Sequence, residues 1–125
     1  MTATRASLDG ILEGLRGTNG VVASTVISRD GIPVASDLPD SVNLEVLALR
    51  TAFMQGIGEL VMESVEDEEA KTVIIVATQH YILTTPIDER NILVVVLDRS
   101  VEVGGMLFDV AETAGTIRRV LEGGS

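Results

Sequence analysis

Residues 21–36 read VVASTVISRDGIPVAS and predict a β-hairpin. Two runs rich in β-branched residues flank Asp30-Gly31, and this dipeptide between such runs is among the strongest short-range hairpin signals. Gly31 can adopt the positive φ that a tight turn needs, and Asp30 tolerates similar backbone geometry. Both are therefore predicted to be structural turn residues. Pro33 cannot donate to a ladder, so the second strand is expected to lie at an edge of the sheet or to pair on only one side there.

Helical patterns lie on both sides of this hairpin. Leu8, Leu12 and Leu15 recur at helical spacing and predict a helix over about 4–16. Asn43 is a plausible N-cap for a long helix that ends near Ser64. The remaining elements are expected at about 71–77, 81–87 and 92–97 as strands, and at about 101–121 as a helix with one apolar stripe.

The order of these elements predicts an α+β fold in a single domain over residues 1–125. The order is helix, two strands, helix, three strands, helix. A five-stranded antiparallel sheet with helices on its faces satisfies this order, because the connections between the last three strands are short enough for hairpins. These three strands are almost continuously apolar, so both of their faces are expected to be covered.

The long helix has two unlike sides when its residues are placed at about 100° per residue. One side is broad and apolar and is expected to lie on the sheet; it carries Val46, Leu47, Leu49, Phe53, Met54, Ile57, Leu60 and Val61. The opposite side, here called the small-residue side, has small residues where long charged ones are usual. Gly56 and Gly58 each cost about 1 kcal/mol relative to Ala in a helix interior, so a close backbone approach is expected there.

The small-residue side is predicted to form a homodimer interface. Small side chains let two helix axes approach toward the lower end of the usual range of about 8–10 Å. The mean hydropathy of +0.36 is high for a soluble monomer of this size, and a subunit interface accounts for the surplus apolar surface. The predicted interface residues are Ala48, Thr51, Ala52, Gln55, Gly56 and Met62.

The composition argues against several classes of partner. The formal net charge is −10, from 19 acidic and 9 basic residues, and the chain has two Phe, one Tyr and no Trp. Such a surface repels a phosphate backbone and offers few rings for base stacking, so no nucleic-acid partner is expected. No apolar run approaches the roughly 18 residues of a membrane span, and no signal peptide is visible. A cytoplasmic protein without membrane insertion is expected.

Residues suited to catalysis are few. His80 is the only histidine, and its position in a predicted turn favours a surface residue over a general base. Ser24 and Ser28 lie in strands without the G-x-S-x-G arrangement of a nucleophile elbow, and the chain has no cysteine. Gly104-Gly105 lacks the lysine and the spacing of a P-loop. The acidic run at 66–69 is predicted to be a solvated turn. No catalytic residue, cofactor or metal site is therefore predicted.

The order of the elements and several landmark segments resemble the Roadblock family. This family is named with dynein light chains and also contains prokaryotic regulators of small GTPases. Residues 26–36 resemble the family's strand–turn–strand signature, and the match extends over nearly the whole chain. The helix start at 12–15, the small-residue long helix, the strand at 81–83 and the strand at 93–97 also fit. The resemblance implies the family's profilin-like fold.

The resemblance also implies a non-enzymatic domain that dimerises. In the family, the long helices of two protomers pack together and their sheets join edge to edge. The resulting platform binds Ras-like GTPases or serves as a scaffold. We therefore expect a homodimeric regulator or scaffold that binds a small Ras-like GTPase. A small-ligand sensor, or an assembly module of a signalling complex without a GTPase, is the alternative hypothesis.

Charged residues near the small-residue side are predicted to contact the partner. They are Glu45, Arg50, Glu59 and Glu63. An acidic surface of this kind attracts a basic patch on a partner and raises its association rate.

Overall fold

The computed structural model describes residues 2–18, 20–65 and 72–123. Within these ranges the chain forms three α-helices and five β-strands in the predicted order. They are α1 (Thr2–Arg16), β1 (Val21–Ser28), β2 (Pro33–Asp37), α2 (Leu44–Glu63), β3 (Val73–Val76), β4 (His80–Pro86), β5 (Asn91–Asp98) and α3 (Val103–Leu121). The acidic run at 66–69, predicted to be a solvated turn, lies outside the described residues.

The five strands form one antiparallel sheet in the order β2-β1-β5-β4-β3. The fold class predicted from the sequence is therefore confirmed. Strand β2, which begins at Pro33, lies at one edge, as the missing amide hydrogen of proline predicts. Strand β3 lies at the other edge and carries only apolar side chains, with the sequence VIIV.

The tip of the β1–β2 hairpin, residues 28–32, has the predicted turn. Gly31 has a φ of +86°, and its N–H donates to the carbonyl oxygen of Ser28 at 2.9 Å. The Ser28 hydroxyl oxygen accepts a further bond from the Ile32 N–H at 3.0 Å. The tip folds onto helix α2, where a Cβ on Gly31 would lie 2.9 Å from the Cα of Leu49. Both the positive φ and this close approach require glycine.

Helices α1 and α3 pack on one face of the sheet, and their predicted apolar stripes are confirmed. The buried helix residues are Leu8, Leu12 and Leu15 of α1 and Met106, Val110, Ala114 and Ile117 of α3. The sheet residues of the same core are Val21, Val26, Leu83, Leu93, Val95 and Leu97, with Ala35 of the edge strand.

Helix α2 packs on the opposite face, and the prediction of which side lies on the sheet is wrong. Ala48 and Ala52 are buried in a second core, and Thr51 and Gln55 are buried beside them. The sheet residues of this core are Ile27, Ile92 and Val94. The predicted sheet-facing side instead points to solvent over most of its length, with Leu49, Phe53, Ile57, Leu60 and Val61 exposed.

The reversal follows from how closely α2 approaches the sheet. A Cβ built on Gly58 would lie 2.4 Å from Cγ2 of Val73, so glycine lets the helix lie against β3. The close approach expected at Gly58 is therefore present, but the neighbour belongs to the same chain. At Gly56 a Cβ would meet no described atom within 4 Å. The N-cap is as predicted, because the Asn43 side chain accepts from the Val46 N–H at 3.2 Å.

The last three strands are not all covered on both faces. Residues 92–95 of β5 are buried, as predicted for a central strand. In β3, by contrast, Ile74, Ile75 and Val76 are exposed, with 62% of Val76 accessible to solvent. The prediction of two covered faces is wrong for β3, because this strand lies at the edge of the sheet.

We predict that Gly31→Val lowers the free energy of unfolding by more than about 1 kcal/mol, because a β-branched residue at positive φ is strained and its Cβ would press on Leu49. The matched control is Asp30→Asn, which keeps the same turn geometry and should change stability by less than about 0.5 kcal/mol. Urea unfolding of both variants measures the difference. Equal stability of Gly31→Val and the parent chain would contradict the role given to this turn.

Candidate functional site

The outward side of helix α2, here called the outer face, carries large apolar side chains that the protomer leaves exposed. Phe53 is 68% exposed, and the neighbouring positions follow at the three- and four-residue spacing of one helix side. The exposed apolar residues of the outer face are Val46, Leu49, Phe53, Ile57, Leu60 and Val61. Monomeric soluble proteins rarely expose a contiguous apolar surface of this kind, so the outer face is the candidate interaction site.

A groove of about 430 Å³ separates the outer face from the hairpin tip. Leu49, Phe53 and Leu60 form its apolar wall, and Arg29 and Asp30 line the opposite wall. An adjoining groove continues along the hairpin past Ile32, which is itself 62% exposed. The hairpin tip thereby extends the apolar surface of α2 toward the β2 edge of the sheet.

A second groove, of about 790 Å³, lies on the other flank of α2, between the helix and the β3 side of the sheet. Met54 and Ile57 of α2 line it together with Val73, Ile75 and Ile82 of the sheet. Ile75 is also exposed. The apolar surface therefore runs from the hairpin tip, across the outer face, to the open β3 edge.

A chain of polar side chains holds α2 on the sheet and on the hairpin tip. The Thr84 hydroxyl donates to Oε1 of the fully buried Gln55 at 2.7 Å. Gln55 Nε2 donates to Oε2 of Glu59 one turn later at 3.1 Å. Arg29 Nη1 donates to Oε1 of Glu59 at 2.7 Å. This chain, called the polar clamp below, satisfies a buried amide whose unpaired burial would cost about 1–3 kcal/mol.

The polar clamp also sets the ionisation of Glu59. Burial by itself raises the pKa of this carboxyl, but hydrogen bonds from Arg29 and Gln55, together with the Arg29 charge, outweigh it. The net pKa of Glu59 is lowered from the ordinary value of 4.5. Glu59 is therefore ionised at neutral pH and keeps Arg29 against the end of α2.

The six residues predicted for the dimer interface fall into two groups in the structure, four that are buried and two that are partly exposed. Ala48, Thr51, Ala52 and Gln55 are buried within the protomer, so their assignment to an interface between copies is wrong. They were misassigned because small and uncharged residues also suit a helix lying close to its own sheet. The other two, Gly56 and Met62, are partly exposed.

The four residues predicted to bind a partner all lie on α2. Glu45, Arg50 and Glu63 are exposed, whereas Glu59 is half-buried in the polar clamp. Glu45 and Glu63 lie on the flank that faces the hairpin, since Glu45 lines the adjoining groove beside Ile32 and the two are separated by whole helical turns. Arg50 borders the grooves on both flanks.

The sequence analysis does not predict the outer face as a candidate site, because it expects this side of α2 to lie on the sheet. Its signal was present as apolar residues at helical spacing over residues 46–61, but the same pattern is typical of a core-facing side. The exposed Ile32 at the hairpin tip was also missed, because nothing local distinguishes it from a strand residue that is covered.

Metal binding and membrane insertion gain no support from the described part of the chain. No group of three or more His, Cys, Asp and Glu residues there could hold a metal ion. His80 is half-buried at the start of β4. Among the described helices, none is both long and apolar enough for a transmembrane span.

We predict that Glu59→Gln lowers the free energy of unfolding by roughly 1 kcal/mol at pH 7, because the clamp loses a partly exposed ion pair. The lowered pKa of Glu59 means that the ionic contribution is present above the ordinary value of 4.5 and is lost as the pH falls through the folded-state value. The stability difference should therefore shrink below pH 4.5. Urea titrations over this range, with Glu63→Gln as a control for loss of an exposed carboxylate, measure it. A difference that is constant with pH would contradict the ionic role of Glu59.

Comparison with known proteins places the chain among related sequences. A family model described as the Roadblock/LC7 domain matches residues 8–97. An uncharacterised protein of Methanocaldococcus jannaschii is 31% identical over 121 residues, which cover 89% of this chain and 96% of that protein.

Solved structures share the fold at low sequence identity. A Roadblock/LC7 domain from Streptomyces avermitilis has a TM-score of 0.84 at 14% identity, covering 91% of this chain and 97% of that one. The gliding protein MglB from Thermus thermophilus has a TM-score of 0.83 at 18% identity, with 96% and 92% covered. Profilin from Schizosaccharomyces pombe has a TM-score of 0.59 at 14% identity, with 95% and 96% covered, in keeping with the profilin-like fold expected. Because the family model spans more than half of its residues, the chain belongs to the Roadblock/LC7 domain family.

Proposed function

We propose that this protein is a homodimeric, non-enzymatic binding protein of the cytoplasm that docks a small Ras-like GTPase and regulates or positions it. The observation that carries the proposal is the exposed apolar outer face of α2 lying beside the open, wholly apolar edge strand β3. The GTPase as partner is what the Roadblock resemblance implies.

A second copy of the chain suits the β3 flank because it supplies an antiparallel strand for β3 and an apolar surface for the outer face. Strand β3 needs an antiparallel neighbour, since an unpaired apolar edge is a template for pairing with another chain. The outer face needs apolar contacts, and burying a side chain such as Phe53 or Ile57 is worth about 1.5–3 kcal/mol. A symmetric pair of chains satisfies both needs at once, because each copy offers an edge and a helix.

The GTPase is then left with the flank of α2 that faces the hairpin. A copy seated along β3 covers the larger groove, which includes Met54 and Ile75. The groove between the outer face and the hairpin tip shares Phe53 and Ile57 with the surface given to the second copy, but its side at Arg29, Asp30 and Leu49 is left to a third molecule. We place the docking surface in this hairpin groove.

The charges around the hairpin groove favour a basic partner. Glu59 and Arg29 neutralise one another in the polar clamp. Asp30, Glu45 and Glu63 are exposed near the groove without such a cation in the described contacts, and the whole chain has a net charge of −10. A GTPase surface with an apolar side chain surrounded by Lys or Arg would be attracted to this rim and bound by the apolar wall.

A small-ligand sensor is the second candidate function. The observation that favours it is the size of the groove between α2 and β3, about 790 Å³ with a largely apolar lining, which falls in the range of ligand pockets. The two functions separate on assembly, because a second copy on the β3 flank would occupy this groove.

We predict that Phe53→Arg converts the dimer to a monomer while the protomer stays folded, because Phe53 is exposed in the protomer and would face the second copy. Phe108→Arg is the matched control: Phe108 is 67% exposed, but it lies on α3, on the opposite side of the sheet. Light scattering at micromolar concentration measures the mass against the 13.2 kDa of one chain. A parent chain that is already monomeric, or dissociation by Phe108→Arg alone, would contradict the proposed interface.

The Ala52→Arg variant tests whether Ala52 belongs to the protomer core or to the interface between two copies. Ala52 is packed between α2 and the sheet, so a long charged side chain there should unfold the protomer rather than release a folded monomer. Circular dichroism and light scattering together distinguish the two results. A folded, monomeric Ala52→Arg protein would restore the small-residue side as the interface.

We predict that the double variant Glu45→Lys and Glu63→Lys slows association with the GTPase several-fold at low salt, because the acidic rim no longer attracts a basic patch. The effect should diminish as salt rises, since the Debye length falls to about 8 Å at 0.15 M. The partner is first recovered on the immobilised full chain from cell lysate with added GTP or GDP and identified as a Ras-like GTPase by mass spectrometry. Surface plasmon resonance then measures its association rate.

The control for this experiment is Glu112→Lys, which reverses an exposed charge on α3, away from the outer face. It should leave the association rate near that of the parent chain. An unchanged rate in the double variant at low salt would show that docking lies elsewhere. Recovery of no nucleotide-dependent GTPase, together with a retained small molecule, would favour the sensor.

A further inference from the structure

In the described part of the chain, the sheet face that carries α1 and α3 is left open over strand β3. Ile74 and Val76 lie opposite Leu83 and Tyr81 in the β3–β4 ladder. Residues directly opposite one another project to the same face of a sheet, and both partners in β4 pack in or against the core beneath α1 and α3. Ile74 and Val76 therefore project to this face, where 37% and 62% of their surfaces are exposed.

One flank of helix α3 borders this open face. It is formed by residues at the four- and three-residue spacing of a single helix flank, namely Leu107, Ala111, Ala114 and Arg118. Helices α1 and α3 run antiparallel, because short loops join them to the antiparallel neighbours β1 and β5. The Arg16–Asp37 ion pair identifies the flank of α1 that faces β2. Since both helices are right-handed, the flank of α3 that lies in the same rotational sense from the core faces β3.

The space between this flank and β3 fits a further helix. A helix placed next to α3 would continue the layer that α1 and α3 form on the same face of the sheet. Ala111 is exposed and small, which lets a second helix axis approach α3 toward the lower end of the usual range of about 8–10 Å. Leu107 is half-buried on the sheet side of this space, and Phe108, 67% exposed, borders it on the outer side of α3. A helix bound here would therefore contact apolar side chains of both α3 and β3.

Two arginine side chains lie at the ends of this space. The Arg99 guanidinium lies 4.8 Å from the ring centroid of Tyr81 and donates to the Ala77 carbonyl oxygen at the β3–β4 turn. Arg118 is exposed near the opposite end of α3. The ion pairs found among the described residues involve other arginines, so neither of these two is neutralised there by a carboxylate. In a chain with a net charge of −10, two such cations beside an apolar surface favour an acidic ligand.

We infer that the surface formed by Ile74, Val76 and the Leu107–Arg118 flank of α3, here called the α3–β3 face, binds an amphipathic helix of another protein whose apolar side is bordered by acidic residues. The apolar side of this helix lies on Ile74, Val76 and Leu107, and its carboxylates reach Arg99 and Arg118. The α3–β3 face is on the opposite side of the sheet from the outer face of α2. The inference is therefore separate from the proposed GTPase docking and uses residues of one protomer alone.

Two synthetic helical peptides of about 18 residues, or about five turns, serve as probes. Both carry Leu along one side; one has Glu at the positions bordering that side, and the other has Lys there. Fluorescence anisotropy with the full chain at low salt should give a Kd below about 100 μM for the Glu peptide. Ala111→Trp fills the space beside α3 and should weaken this binding at least about tenfold, since a bulky ring prevents close helix packing. Ala6→Trp, at an exposed position of α1, is the matched control and should have no effect.

Charge reversal tests the acidic character of the bound helix. The double variant Arg99→Glu and Arg118→Glu should weaken binding of the Glu peptide by about fivefold or more at low salt, and the effect should diminish as salt rises. The double variant Arg5→Glu and Arg90→Glu changes the net charge equally at exposed positions outside the α3–β3 face, so it should leave the affinity within about twofold of the parent chain.

The possible results separate this inference from the proposed function. No measurable binding of the Glu peptide, or binding that neither Ala111→Trp nor the Arg99 and Arg118 reversal weakens, overturns the α3–β3 face as a docking site. Equal weakening of the Glu and Lys peptides by Ala111→Trp overturns the acidic character of the ligand. Phe53→Arg, on the other side of the sheet, should bind the Glu peptide as the parent chain does. The peptide result therefore stands or fails independently of the homodimer and of the GTPase.

Discussion

The burial of Gln55 beneath helix α2 is the interaction on which the rest of the structure depends. Its amide is held between the Thr84 hydroxyl on the sheet and the Glu59 carboxylate on the helix. Because these bonds replace the hydrogen bonds to water that the amide loses on burial, the small-residue side of α2 can lie against the sheet. The apolar side is then turned outward over most of the helix, with Leu47 and Met54 only partly exposed. The exposed surface that we assign to binding is therefore a consequence of how the inner side is satisfied.

The same interaction ties the hairpin to the helix. Glu59 uses one carboxylate oxygen for Gln55 and the other for Arg29 at the hairpin tip. Gly31 lets the tip lie directly on α2 beside Leu49. The groove between the tip and the outer face is thus built on two connected elements rather than on a free loop. A binding surface held in this way loses little conformational entropy when a partner docks.

An unpaired strand edge and an exposed apolar helix side lie next to one another in the protomer. Among the described residues, strand β3 has no neighbour on its outer side, and the outer face has no apolar cover. At the opposite edge, β2 begins with Pro33 and α1 contacts it through the Arg16–Asp37 ion pair. Both edges border a flank of α2, at Pro33 on one side and at Val73 and Ile75 on the other, but only the β3 edge is without such protection. This asymmetry favours one preferred direction of assembly.

Local sequence was sufficient to establish the order of the elements, the turn at Asp30-Gly31, the N-cap at Asn43 and the edge position of β2. These depend on local geometry: positive φ, a capping hydrogen bond and a missing amide hydrogen. The core-facing stripes of α1 and α3 were also readable from the sequence, since charged residues occupy their other sides.

The orientation of α2, by contrast, was set by tertiary contacts. Neither of its sides carries enough charge to identify the solvent side, so periodicity alone could not choose between them. The choice was made by contacts between residues distant in sequence, namely Gln55 with Thr84 and Gly58 with Val73. For the same reason the side of α2 that the sequence predicts to be an interface is buried, and the side predicted to lie on the sheet is exposed.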